Sequence, residues 1–115
     1  GAPPADRDDV NTHMEWIDAA ADSEIGEGQS LCVPAGAAII AVVRSGGRLY
    51  AIEDVCTHDG EALTGGPIDD GEIICPRHGA RFCLRTGEAL SPPAYEPVKT
   101  FDVKVEGGRI WVRAG

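Results

Sequence analysis

Cys56-Thr57-His58 and Cys75-Pro76-Arg77-His78 each set one cysteine and one histidine in a short segment, with sixteen residues (59 to 74) between them. If the four side chains act together, two separate loops must converge on one point. That requires a scaffold of short elements that repeatedly reverse direction. The composition allows one, since 115 residues with 15 Gly and 8 Pro suit a single domain rich in turns and poor in long helices.

Turn chemistry and alternation supply the scaffold. Strands are expected over Trp16–Ala19, Gln29–Val33 and Ala38–Arg44, with Ser45-Gly46-Gly47 turning the last of these into Arg48–Glu53 as a hairpin. A second hairpin is expected where Val98–Val105 alternates, turns at Glu106-Gly107-Gly108 and returns through Arg109–Arg113. Its Phe101, Val103, Val105, Ile110 and Val112 should face the core. Helical possibilities are limited to short pieces such as Glu61–Leu63. The fold class is therefore all-β, with 55–95, where Gly, Pro, Cys and His concentrate in loops, as a site mounted on it.

Several function classes fall away. The longest apolar window, Ala35–Val43, is broken by Gly36 and ends at Arg44, so it reads as a strand and not a membrane span. Residues 1–14, with Pro3, Pro4 and several carboxylates, read as a disordered lead-in or an added remnant before a start at Met14, leaving 15–115 as the domain. They lack the basic start and apolar stretch of a secretion signal, which makes the cytoplasm the expected location. A net charge of −9 disfavours nucleic acid and anionic membrane and favours approach to a basic protein surface. Neither Gly-x-Ser-x-Gly nor a phosphate loop occurs, and no catalytic residue is assigned.

The donor set of Cys56, His58, Cys75 and His78 leaves zinc and iron–sulfur chemistry open by composition alone. Order argues between them. A structural zinc finger ordinarily groups two cysteines and then two histidines, whereas here each loop offers one of each. In a mixed-ligand [2Fe–2S] centre one iron takes both cysteines and the other both histidines, so two matching loops suit that division better. Such a ligand set leaves the oxidised cluster formally neutral, where four thiolates would leave two negative charges, and this eases reduction.

With those residues in view, the sequence resembles the Rieske family, whose cluster loops read C-x-H and C-x-x-H at about this separation. Cys56-Thr57-His58 and Cys75-Pro76-Arg77-His78-Gly79 match the loops, and Phe82 and Gly87 fall where the family commonly has an aromatic residue and a turn glycine. The looser likeness runs from Trp16 to Val112. It implies a Rieske-like antiparallel β sandwich or barrel with a small cluster-binding subdomain of two hairpin loops, and one [2Fe–2S] cluster on Cys56, His58, Cys75 and His78. It also implies a proline-bearing third loop that shields the cluster, at Ser91-Pro92-Pro93-Ala94. From the local residues alone, those prolines read equally well as a simple break between strands.

Two departures point to one branch. Respiratory Rieske proteins carry a disulfide between the loops, and here its positions are Glu61 and Arg77. They also direct serine and tyrosine hydroxyls at the cluster and its cysteine ligand, where this chain has Ala80 and Phe82. Losing donors that stabilise the reduced state should place the potential toward the lower end of roughly −150 to +300 mV. The resemblance thus implies a low-potential electron carrier, not itself an enzyme, acting as a monomer between a reductase and an oxygenase or other redox enzyme. A structural zinc module and a cluster-based redox sensor are the alternatives. Cys32 and Cys83 are expected as buried small side chains, and His13 as exposed and uninvolved.

Overall fold

The computed structural model describes residues 16–35, 38–56, 62–77, 79–92, 94 and 96–113. The expectations placed on residues 1–15, and on Glu61 as part of a short helix, lie outside them. Nine strands run in chain order: β1 Ile17–Ala21, β2 Ser30–Ala35, β3 Ala38–Ser45, β4 Arg48–Glu53, β5 Ile68–Asp69, β6 Glu72–Ile74, β7 Arg81–Cys83, β8 Thr100–Glu106 and β9 Arg109–Arg113. They form a six-stranded sheet in the order β1-β9-β8-β4-β3-β2 and a three-stranded sheet β5-β6-β7. Every pairing is antiparallel. The one helical turn among the described residues is a 3-10 turn at Asp22–Glu24.

Both expected hairpins are present, at Ser45↔Arg48 and Glu106↔Arg109. Their Gly46-Gly47 and Gly107-Gly108 pairs all have positive φ, the requirement of a two-residue loop matched to strand twist. A third such turn, Asp70-Gly71, joins β5 to β6, and Asp70 at φ 50 is among the few residue types that tolerate this region.

All six strands of the larger sheet contribute to one core, with Ile40, Val42, Ile110 and Val112 fully buried at its centre. A flat sheet cannot do this; it must curl around the core toward a barrel. The opposite face of β3 and β4 is also covered. Ala41, Val43 and Ile52 pack into a second core with Leu63, Ile73, Phe82 and Leu84 from the smaller sheet and its loops. Burial on both faces explains the near-continuous apolar run of β3, which lacks the alternation of a half-exposed strand.

Five expectations are corrected. The window Ala35–Val43 is not one strand: Ala35 ends β2 and pairs with Ala38, the first residue of β3. Val105 is 48% exposed although it pairs with the buried Ile110, because β8 pairs with β4 only at Phe101 and Thr100 and no β4 residue lies beside it. Cys32 is exposed, since on edge strand β2 it alternates with the inward Val33. Cys83 is only half-buried. The first strand begins at Ile17, and Trp16 instead lies against the Lys104 ammonium and the Arg113 guanidinium, 4.4 and 4.5 Å from its ring centroid.

Candidate metal centre

The first loop leaves β4 at Asp54, whose N–H donates to the Ile39 carbonyl at 2.8 Å. The Asp54 carboxylate then accepts from the N–H of Leu63 (2.7 Å), the N–H of Thr64 (2.9 Å) and the Thr64 hydroxyl (2.6 Å), drawing the returning limb back to the departure point. Gly65 N–H donates to the Ser30 hydroxyl on β2 at 2.8 Å, which fixes the same limb to the sheet edge. Cys56, on the outgoing limb, is fully buried.

The second loop is closed by its own backbone. Cys75 N–H donates to the Ala80 carbonyl at 2.7 Å and Gly79 N–H donates to the Cys75 carbonyl at 3.0 Å, so Cys75 stands at the root of a tight loop between β6 and β7. The two loops touch near their bases. A Cβ on Gly66 would lie 2.1 Å from the Ile74 carbonyl oxygen, so no side chain fits between them.

The third segment runs back along β7. Cys83 N–H donates to Glu88 O, Leu90 N–H to Arg81 O, and Arg81 N–H to the Ser91 hydroxyl oxygen. This delivers Ala94, almost fully buried, to the core that holds Cys56, Cys75, Leu63, Ala80 and Phe82. Arg81 secures the small sheet from outside, donating to Glu72 at 2.6 Å and Asp69 at 2.7 Å. Glu72 first and Asp69 second push its guanidinium pKa up.

Two cysteines from separate loops thus meet one apolar core, and none of the four cysteines is in a disulfide. His58, His78, Thr57 and Pro93 lie outside the described residues. Among the described residues no group of three or more His, Cys, Asp or Glu is gathered to hold a metal ion. The donor set nevertheless fits a mixed-ligand cluster: two soft sulfur-bearing side chains are buried in one apolar core, at the roots of loops whose next residues include a histidine. Arg77, where a disulfide cysteine stands in the respiratory branch, is exposed, and Ala80 and Phe82 are fully buried beside the cysteines. Sequence reasoning missed Asp54, Ser30 and Arg81, and placed Ser91 in the third loop without the hydrogen bond its hydroxyl accepts. Only Asp54 carried a signal, as a carboxylate two residues ahead of Cys56 at the end of an apolar strand.

The remaining cysteines differ in character. Partial desolvation first, and a hydrogen bond to Asp54 second, push the Cys32 thiol above its ordinary pKa. The Thr86 hydroxyl, and less strongly the N–H groups of Thr86 and Arg85, hold the Cys83 thiol below it against partial desolvation.

The profile of the family described as Rieske [2Fe-2S] domain matches residues 15–102, and the chain belongs to that family. Its cofactor is one [2Fe–2S] cluster. Among named relatives, the 3-phenylpropionate/cinnamic acid dioxygenase ferredoxin subunit of Escherichia coli (strain K12) is 40% identical over 100 residues, covering 86% of this chain and 93% of the relative. The ferredoxin component of the naphthalene 1,2-dioxygenase system of Pseudomonas aeruginosa is 39% identical over 98 residues, covering 85% and 94%. A chain in the solved complex of reduced oxygenase and oxidized ferredoxin in carbazole 1,9a-dioxygenase superposes with a TM-score of 0.80 at 38% identity, covering 85% and 92%.

Proposed function

We propose that this chain carries single electrons from a reductase to an oxygenase, with Cys56, His58, Cys75 and His78 as the ligands of its cluster. The observation that carries the ligand reading is the burial of Cys56 and Cys75, from two separate loops, in one apolar core. The relatives named above are ferredoxin components of dioxygenase systems, which supports the electron-carrier role.

A bound [2Fe–2S] cluster supplies reversible one-electron chemistry at nearly constant geometry. The chain's residues supply the rest. The Cys56 and Cys75 thiolates would hold one iron, and Leu63, Phe82, Leu84 and Ala94, buried in the same core as both cysteines, exclude water from around them. His58 and His78, the histidines next along the chain in each loop, would hold the other iron. Pro76 and Gly79, which flank Arg77 and His78 in the second loop, are exposed, as are Pro92 and the large apolar Leu90 (43%) of the third segment. We place the carrier in the cytoplasm as a monomer: its four cysteines form no disulfide, as a reducing compartment favours. No helix among the described residues is long and apolar enough to cross a membrane.

The test is protein purified without oxygen, analysed for iron, sulfide and zinc and examined by visible absorption and EPR before and after dithionite. A red-brown protein with two irons and two sulfides per chain, and a rhombic signal only on reduction, is expected. Cys56→Ser and Cys75→Ser should each abolish that colour. A colourless, redox-silent wild-type protein with one zinc would establish the structural module instead.

A further inference from the structure

The two cysteine-bearing loops are closed by different means. The second is a hydrogen-bonded backbone loop between paired strands, Cys75 to Ala80. The limbs of the first are joined through a side chain. The Asp54 carboxylate takes the N–H of Leu63 and of Thr64 on one oxygen and the Thr64 hydroxyl on the other, across nine and ten residues of chain. The Cys32 thiol of the edge strand is hydrogen-bonded to the same group.

Asp54 is only 8% exposed. A carboxylate buried so far loses its hydration and is tolerated only where hydrogen bonds replace it, as three or more do here. An apolar residue would avoid that cost but could not reach back to Leu63 and Thr64. Asp54 therefore does what the neighbouring strands do not: it closes a loop that shows no strand pairing among its described residues, two residues from Cys56. It also keeps an acidic side chain in a region of low dielectric two residues from Cys56, whose cluster would gain negative charge on reduction.

We propose that Asp54 is a positioning residue for the cluster, its carboxylate locking the Cys56 loop shut so that the [2Fe–2S] group is retained, while its charge holds the reduction potential down. This rests on the reading of Cys56 as a ligand. Asp54→Ala removes lock and charge together. Asp54→Asn keeps an oxygen that can accept from both Leu63 and Thr64 N–H groups but removes the charge. Thr64→Val removes the hydroxyl bond and leaves the charge.

Purified holoproteins would be compared by the rate at which visible absorption bleaches in air with a chelator, and by the midpoint potential from dye-mediated titration. Asp54→Ala should bleach about 10-fold faster or more, in line with losing hydrogen bonds to a charged group. Thr64→Val should bleach faster by about 3-fold with its potential unmoved. Asp54→Asn should bleach near the wild-type rate but titrate at a more positive potential. Should Asp54→Ala not yield folded protein, the other two variants decide: wild-type bleaching in Thr64→Val together with a wild-type potential in Asp54→Asn overturns the proposal. Cys56→Ser is the parallel control. If it keeps two irons and the native spectrum, the ligand reading has failed, whatever the Asp54 variants do.

Discussion

Val98 donates its N–H to the Gly87 carbonyl at 2.9 Å, and a Cβ built on Gly87 would lie 2.1 Å from the Val98 carbonyl oxygen. The two backbones are in direct contact, and Gly87 has φ +79. This contact brackets the third segment, fixing both ends of the stretch that carries Ser91, Pro92 and Ala94.

Gly87→Ala is therefore expected to be costly. The left-handed conformation alone costs a non-glycine residue about 1–2 kcal/mol, and the contact with Val98 adds to it. Thermal unfolding of the holoprotein should show a midpoint at least ~5 °C lower, and cluster loss should quicken as the third segment loosens. An unchanged midpoint would mean that the Val98 segment and the Gly87 turn yield without cost.

Ala80 and Phe82 are fully buried in the core that holds both cysteines, at positions where hydroxyl groups are found in the respiratory branch. Ala80→Ser and Phe82→Tyr should each raise the midpoint potential, because a hydroxyl directed at sulfur stabilises the reduced state more than the oxidised one. Potentiometric titration reads the shift. A potential that stays put or falls would place those hydroxyls out of reach of the cluster.

The two cysteines outside the ligand set should separate by pH. Thr86 lowers the Cys83 pKa and partial desolvation with Asp54 raises that of Cys32, so the Cys83 thiolate appears at the lower pH and Cys32 follows only as pH rises further. Iodoacetamide labelling of native holoprotein, followed by peptide mass spectrometry across pH 6–10, should modify Cys83 first although Cys32 is the more exposed. Cys56 and Cys75 should label only after the cluster is removed. Equal labelling of all four in native protein would contradict their assignment as ligands.

An acidic carrier with a net charge of −9 should meet a basic docking face by electrostatic steering. Stopped-flow association with its oxygenase should slow as salt rises from about 20 to 300 mM, over which the Debye length shrinks severalfold. A flat rate would mean that docking is governed by apolar contact, with Leu90 of the third segment the exposed side chain to replace next.

Much of this protein is legible in its residues because the signals are local. Two Gly-Gly pairs flanked by alternating segments can form little but hairpins, since only glycine enters the left-handed region freely at both positions. Two short Cys/His segments announce the metal chemistry because soft and imidazole donors at that spacing have few other uses. The family profile agrees with that chemistry.

What the sequence left open depended on contacts between distant segments. It could not show that β3 is buried on both faces, because the core that takes in Ala41 and Val43 is built largely from later segments, Leu63, Ile73, Phe82, Leu84 and Ala94 among them. For the same reason Val105 and Cys32 read as core and are not: the pattern tells which side a residue faces, but only packing tells whether anything lies there. Asp54 was one acidic residue among 19 until the fold brought Leu63 and Thr64 to its carboxylate. Local chemistry thus determined what this chain binds, and tertiary packing, acting across the two sheets, decided how the loops that bind it are held.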